Sequence, residues 1–264
     1  MSPEHLKQRL EYYRDLGVQD LYRRPAKVIA AQPDIEVPAV PSFDEPPELP
    51  PFPSFSPAPE MPLTDIILPG LAPEGDTLER ICADIGDCQR CRLSQGRNKI
   101  VFGVGDPNTK LVFVGEAPGA DEDAQGIPFI GRAGQLLTQM IEGTSAKEGI
   151  PLKRADVYIC NVVKCRPPEN RTPEADEMQI CGQFLFRQLS AIKPKAICAL
   201  GATAAKALLG GKEGVTKMRG KWHKWNDIPL MVTYHPSYLL RPYNQDAKRE
   251  AWEDLKKTLH FVYG

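Results

Sequence analysis

Four apolar runs of strand length mark the last two-thirds of the chain: KLVFVGE (110–116), DVYICNVVKC (156–165), AICALG (196–201) and IPLMVTYH (228–235). Between and after them, apolar positions recur at helical spacing over 132–142, 173–192, 202–209 and the closing stretch DAKREAWEDLKKTLHFV (246–262). Thr172-Pro173-Glu174 gives the second of these helices a cap-like start. The strands are apolar almost throughout rather than alternating, so both of their faces need cover. That pattern predicts an α/β fold: a three-layer α/β/α sandwich around a four-stranded, mostly parallel sheet. Ligands of such sheets bind beyond the carboxyl ends of the strands. Those ends fall at Gly115-Glu116, at Asn161 to Cys165, at Gly201 and at Tyr234-His235-Pro236.

Upstream the pattern changes. Leu6, Leu10, Tyr13 and Leu16 predict a short amphipathic helix within residues 1–27, broken at Gly17. Residues 28–75 hold 13 of the 26 prolines, eight acidic side chains and no Lys or Arg. Proline at that density removes backbone donors and forbids helix, which predicts a disordered, extended linker. Phe43, Phe52 and Phe55 are wasted in a plain spacer, so helix and linker suit a tether to a protein partner. Residues 76–264 form the one folded domain, expected as a monomer.

Net charge refines this division. The chain carries −1 overall, but residues 1–75 have 12 acidic and 6 basic side chains, and the remainder 22 and 27. A basic body is compatible with a polyanionic partner. No apolar run approaches the ~20 residues of a membrane span, and the charged start MSPEHLKQRLEYYRDLG is unlike a secretory signal. The expectation is a cytoplasmic protein with no membrane contact.

Seven cysteines without an export signal argue against disulfides. Cys88 and Cys91 form a C-x2-C pair before the first strand; Cys165 ends the second strand, and Cys181 follows after fifteen intervening residues. Four thiolates suit a structural zinc ion or an iron–sulfur cluster, and spacing leaves both open. Cys82, Cys160 and Cys198 lie in apolar contexts and are expected to be buried.

Five blocks in order carry a resemblance: CQRC, GEAPGADEDAQGIPFIGRAGQLL, NVVKCRPPENRTP leading to Cys181, ALGATA, and HPSYLLR. Together they resemble the family 4 uracil-DNA glycosylases, over roughly residues 76–262. The resemblance implies hydrolysis of the N-glycosidic bond of uracil in DNA, a base excision repair reaction. It also implies a 4Fe-4S cluster held by Cys88, Cys91, Cys165 and Cys181, with a structural role. Uracil-containing DNA is then the partner of the basic body.

A glycosylase takes its base out of the stack and needs a stacking ring and a reader of the Watson–Crick edge. The family places its stacking aromatic at Phe129. Asn161 can read the edge, its oxygen accepting from uracil N3–H and its NH2 donating to O4. His235, at a strand end, can donate to uracil O2 as charge grows there. His5, His223 and His260 lie in helix or loop contexts and read as solvated. The loop after the first strand is expected to wrap the base, with Gly115, Ala117 and Pro118 against it and Glu122 fixing the loop. Glu116 is the candidate to position water or stabilise an oxocarbenium-like sugar. Other glycosylase families carry Asp where this chain has Ala117, which weakens the case for a strong general base. Asp121 and Asp123 read as solvated. In HPSYLLRP, Ser237 can hold a phosphate while Leu239, Leu240 and Arg241 enter the gap left by the base. KMRGKWHKW (217–225) reads as a phosphate-facing loop or as packing tryptophans.

Three other readings share these residues. A covalently trapped relative needs a His in an inserted loop, and RPPENRTPEADE has neither the His nor the insertion. A catalytically silent Fe–S module associated with DNA or a polymerase has no need of Glu116, Phe129, Asn161 and His235 together. A glycosylase of wider base range shares most of this pocket.

Overall fold

The computed structural model describes residues 75–264 apart from Lys212 and Pro242. The expected N-terminal helix (1–27) and, Gly75 apart, the expected linker (28–75) lie outside these residues. Helix α1 (Leu78–Ile85) opens the described chain, capped by Thr77, whose side chain accepts the Arg80 N–H at 3.3 Å.

The sheet has six strands in the order β1-β3-β2-β4-β6-β5. Its centre is the predicted one: β3 (Tyr158–Asn161), β2 (Leu111–Gly115), β4 (Ala196–Leu200) and β6 (Ile228–Thr233), all parallel. Two antiparallel edges are added, β1 (Val104–Gly105) on β3 and β5 (Trp222–Trp225) on β6. Both edges are largely exposed, so neither shows the unbroken apolar run that marks the central four. The fold is therefore α/β with a mixed six-stranded sheet rather than a four-stranded one.

Helices cover both faces. On one side Val112, Val114, Cys160, Ile197 and Val232 pack with Ile81 and Ile85 of α1, and with Phe184, Leu185 and Leu189 of α4 (Ala175–Ile192). Ala204, Ala205 and Leu208 of α5 (Gly201–Leu209) complete that layer. On the other side Leu111, Phe113, Ile159 and Cys198 meet Leu137 and Ile141 of α3 (Arg132–Lys147) and Leu255, Leu259 and Val262 of α8 (Gln245–Tyr263). In α8 the buried positions Ala247, Ala251, Leu255, Leu259 and Val262 recur every three or four residues, the stripe of a helix with one apolar face.

Short elements fill the loops: α2 (Ala120–Gln125) inside the acidic stretch, α6 (Val215–Met218), and α7 (Pro236–Leu239) directly after β6. The stretch 217–225 is thus the end of α6 and edge strand β5. Its Arg219 is held by the fully buried Asp254, which takes Nη2 at 2.5 Å and Nε at 2.9 Å. An isolated buried carboxylate is costly, and pairing plus the Thr233 hydroxyl at 2.8 Å offsets that cost. Trp225 is buried against Phe186 and Trp222 packs on Phe261, so these rings serve packing. Cys160 and Cys198 are buried, as expected, but Cys82 is exposed because α1 turns it away from its apolar stripe of Ile81 and Ile85. No helix among the described residues is long and apolar enough to cross a membrane.

Candidate active site

The parallel register sets the carboxyl ends of β2 and β3 side by side, with Gly115 opposite Asn161. β4 and β6 end level, with Leu200 opposite Thr233. A cleft of about 320 Å³ opens at this edge, within the usual range of small-ligand pockets. It is lined by Glu116, Ala117, Pro118, Gly119, Glu122, Phe129, Ala133, Asn161, Pro167, Asn170, Arg171, His235 and Ser237. Glu116, Ala117, Pro118, Glu122, Phe129, Asn161, His235 and Ser237 of the sequence-derived candidates therefore share one cavity.

Asn161 is 1% exposed, and its Oδ1 has no hydrogen-bond partner. Buried polar atoms are nearly always satisfied, so an orphan acceptor in a cleft wall points to a missing ligand. Gly115 makes room for it: a Cβ there would collide with both Asn161 Oδ1 and the Phe129 ring. Gly115 thus acts by absence, bringing Asn161 and the Phe129 ring together. Phe129 sits at φ 54°, a left-handed conformation unusual for an aromatic residue. Gly134 lies against its backbone, where a Cβ would overlap the Phe129 carbonyl.

His235 faces Phe129 with ring centroids 5.6 Å apart. It caps α7, and the Ser237 backbone N–H donates to its Nδ1 at 3.2 Å. The Ser237 hydroxyl also lies 2.7 Å from Nδ1. An Nδ1 that accepts an amide proton leaves the ring hydrogen on Nε2. Burial pushes the imidazole down to about 4, against the opposing pull of the Glu122 charge, so it is neutral at physiological pH. The ring is therefore a neutral Nε2–H donor. His260 is exposed, as expected, and His223 is half-buried and bonded to the Met218 carbonyl at 3.0 Å.

The acidic loop divides its work. Glu122 accepts from the N–H groups of Gly119 (3.1 Å), Ile130 (2.9 Å) and Gly131 (2.9 Å), closing the loop around the cleft. Asp123, expected to be solvated, is 1% exposed and takes the Asn98 backbone N–H at 2.9 Å and its side-chain amide at 2.5 Å. The turn of α2 points it inward, where it ties the loop to residues 98–99. Asp121 is exposed. Glu116 receives a short hydrogen bond from the Thr203 hydroxyl of α5.

Thr203 was not visible as a site residue, nor were Asn170 and Arg171. Arg171 also donates to the buried Glu177 at 2.6 Å and 2.8 Å, holding that carboxyl down to about 2. Positive φ at Glu169 and Asn170 bends the loop toward the cleft. Asn and Pro clustered in RPPENRTP were the available signal.

Beyond His235, α7 departs from expectation. Leu239, proposed to enter the gap left by a base, is 1% exposed and packs among Tyr234, Ala247 and Ala251. It anchors α7 to α8 and cannot reach DNA. Ser237 and Arg241 are exposed, and Leu240 is half-buried.

The four cysteines gather on one side of the first core layer, Cys165 and Cys181 buried, Cys88 and Cys91 half-buried. Burial pushes the Cys165 thiol up and the Cys181 thiol up to about 12, and the charges of Cys91 and Cys88 on the first and of Cys165 and Cys91 on the second act in the same direction. N–H groups aim at the sulfurs: Lys164 backbone N to Cys181 Sγ at 3.2 Å, Arg97 Nη1 to Cys165 Sγ at 3.5 Å. Arg97 also holds the Cys88 carbonyl at 2.6 Å, joining the C-x2-C turn to the strand end. These donors oppose the effect of burial and are the contacts that a sulfur carrying negative charge, as a metal-bound thiolate does, would need. Among the described residues no three His, Cys, Asp or Glu close around a point as a single ion requires.

Comparison with known proteins gives a consistent result. A family model described as the Uracil DNA glycosylase superfamily matches residues 102–256. A type-4 uracil-DNA glycosylase of Thermotoga maritima is 43% identical over 189 residues, covering 71% of this chain and 95% of that protein. Type-4 uracil-DNA glycosylases of Sulfurisphaera tokodaii and Saccharolobus solfataricus are 44% and 40% identical, covering 83% and 85% of those proteins. The matched segment spans β2, β3, β4 and β6 and every cleft residue named above, and on that ground the chain belongs to the uracil DNA glycosylase superfamily.

Proposed function

We infer that this protein excises uracil from DNA by hydrolysing its N-glycosidic bond, as a monofunctional glycosylase of base excision repair. The observation that carries the reading is the orphan Oδ1 of Asn161, buried beside Phe129 and opposite a neutral His235. Uracil offers that atom an N3–H, offers the Asn161 amide an O4 acceptor, and offers the Phe129 ring a stacking partner.

The reaction then proceeds by departure of the base. The C1′–N1 electron pair moves onto the uracil ring, and charge collects on O2. His235 Nε2–H meets that oxygen, its orientation fixed by Ser237 through Nδ1. Being neutral, His235 stabilises the leaving anion without transferring a proton to it. Glu116, held by Thr203, orients a water toward C1′ and stabilises the positive sugar; as the C1′–O bond forms the water's proton passes to solvent, and the released uracil anion takes up a proton from solvent. The products are free uracil and an abasic deoxyribose.

Cys88, Cys91, Cys165 and Cys181 hold a 4Fe-4S cluster when it is bound, and it supplies a covalent brace rather than reaction chemistry. The residues fit such a group because donors from Arg97 and Lys164 already face the sulfurs. We place the chain in the cytoplasm, where the seven cysteines remain free thiols or ligands, as a monomer with residues 1–75 as a tether to a protein partner.

The test is cleavage of a uracil-containing oligonucleotide after alkali treatment, with Asn161→Asp and His235→Ala beside the parent. Strand scission by the parent, sharply reduced in both variants, supports the reading. No scission from a folded, cluster-loaded preparation sinks it and favours a silent binding module.

A further inference from the structure

We propose that Tyr238, Arg241 and Tyr243 form a stacking platform for the nucleobase next to the excised uracil. The inference rests on the uracil-DNA reading above and names a surface that the cleft does not include. Tyr238 is 40% exposed and Tyr243 is 76% exposed, within a nine-residue stretch that begins at His235. Exposed aromatic rings clustered in one short stretch mark an interaction site more often than rings exposed singly.

The rings are ordered rather than merely loose. Tyr238 stacks on the buried Tyr234 with centroids 5.3 Å apart and planes 30° from parallel. Tyr234 is itself fixed, its hydroxyl donating to Glu250 at 3.0 Å and Arg219 lying over its ring. The Arg241 guanidinium lies 5.8 Å over the Tyr238 ring, and its Nη1 donates to the Tyr243 hydroxyl at 3.4 Å. Among the described residues Arg241 has no carboxylate partner, so its charge is free for a phosphate or a base face. The result is a ladder anchored in the core at Tyr234 and open at its outer end.

This chemistry selects its occupant. Aromatic faces alternating with an unpaired guanidinium bind unstacked nucleobases, because each base has a π-face and each phosphate a negative charge. Ser237, adjacent to Tyr238, lines the cleft, so a strand delivering uracil to Asn161 passes directly over the ladder. Leu239 cannot share this task, since it is buried beneath the turn. The flat groups above it take the neighbouring base in single strands and in duplexes alike.

The test measures excision kinetics on single-stranded and duplex uracil oligonucleotides with Tyr238→Ala, Tyr238→Phe and Tyr243→Ala in the full chain. Alanine at either position should raise KM roughly five- to hundredfold on both substrates, the range measured for loss of one base–aromatic stack. Tyr238→Phe should keep the parental KM, because the ring rather than the hydroxyl holds Arg241 in place. Inhibition by free uracil should be the same in all four proteins, which a structural collapse of the cleft would not allow. KM values for both alanine variants within about twofold of the parent, with the parent active, overturn the platform. A loss confined to duplex DNA also overturns it, since it would mark a wedge that only props the opened helix. Failure of the parent to release uracil from any substrate refutes the platform together with the parent reading, and is distinguished by that control.

Discussion

Replacing Asn161 by aspartate probes the reader at one atom. On the function proposed above, the unpartnered Oδ1 accepts from uracil N3–H and Nδ2 donates to O4; cytosine presents a lone pair and an amino group in those places. Each mismatch leaves one buried group unsatisfied at about 1–3 kcal/mol, so two cost about 2–6 kcal/mol. At 1.36 kcal/mol per decade the parent should favour uracil over cytosine by roughly 30-fold to 10⁴-fold. The aspartate admits cytosine only when protonated, for an O–H at the former Oδ1 position then donates to cytosine N3 while the other oxygen accepts from the amino group; with the proton on that other oxygen the same acid pairs with uracil. Ionised, it offers acceptors alone and repels O4. Because the position is 1% exposed, burial raises the carboxyl and widens the pH range in which the acid form persists. Single-turnover release of base from matched uracil and cytosine oligonucleotides, followed from neutral to mildly acid pH, reads both effects. At neutral pH uracil release should fall about 30-fold, recovering in part as pH falls, while cytosine release appears and grows. Parental uracil rates with no cytosine product at any pH would falsify the assignment of Asn161 as the reader.

Five further outcomes follow from the same geometry. His235→Ala should lower the single-turnover rate about 10²- to 10³-fold, the usual worth of one preorganised donor, with little change in DNA affinity. Because burial depresses the folded-state value to about 4, the ring's stability contribution is full above its unfolded value of about 6.5 and is lost as pH falls through 4. The parental rate should therefore show no inflection near pH 6.5, and thermal scans should show the loss below it. Glu122→Ala strands three backbone N–H groups, partly rescued by water, and should lower the melting temperature by roughly 5–10 °C in calorimetry while weakening excision. Deleting residues 1–75 should leave excision from short DNA intact, provided the cut spares Asp76, which pairs with Arg187 at 2.7 Å. Cys181→Ser should reduce bound iron, visible absorbance and melting temperature together; unchanged iron content would remove it from the ligand set.

The central strands were legible because burial on both faces forces an unbroken apolar run, which is a local property of the chain. The ends of those runs gave the site candidates, since parallel strands place their carboxyl ends on one edge by geometry alone. Glu116, Asn161 and His235 are thus grouped by strand position alone, and the cysteine spacing supplies the ligand candidates. The edge strands were not legible: Val104–Gly105 and Trp222–Trp225 exist because a neighbour offers hydrogen bonds, not because their side chains alternate. Asp123 and Cys82 failed for a related reason, as a single turn of helix decides which side chain faces inward and leaves no periodic trace.

Chemistry across long separations belonged to the tertiary structure. Thr203 reaches Glu116 across 87 positions and Arg97 reaches Cys165 across 68, distances at which local pattern carries no information. The protonation of His235 was likewise undetermined until burial and the Ser237 N–H fixed it. In YLLR the order of residues could not say which side chain meets DNA, because a four-residue helix is too short to show a face. Packing against α8 took Leu239 into the core and left Tyr238 outside. The sequence by itself determined the strand cores, which depend on composition and period, and the candidate site residues, which lie at the ends of those strands. Which of those groups touch, and in what charge state, depended on desolvation and contact between distant segments, and those exist only in the folded chain.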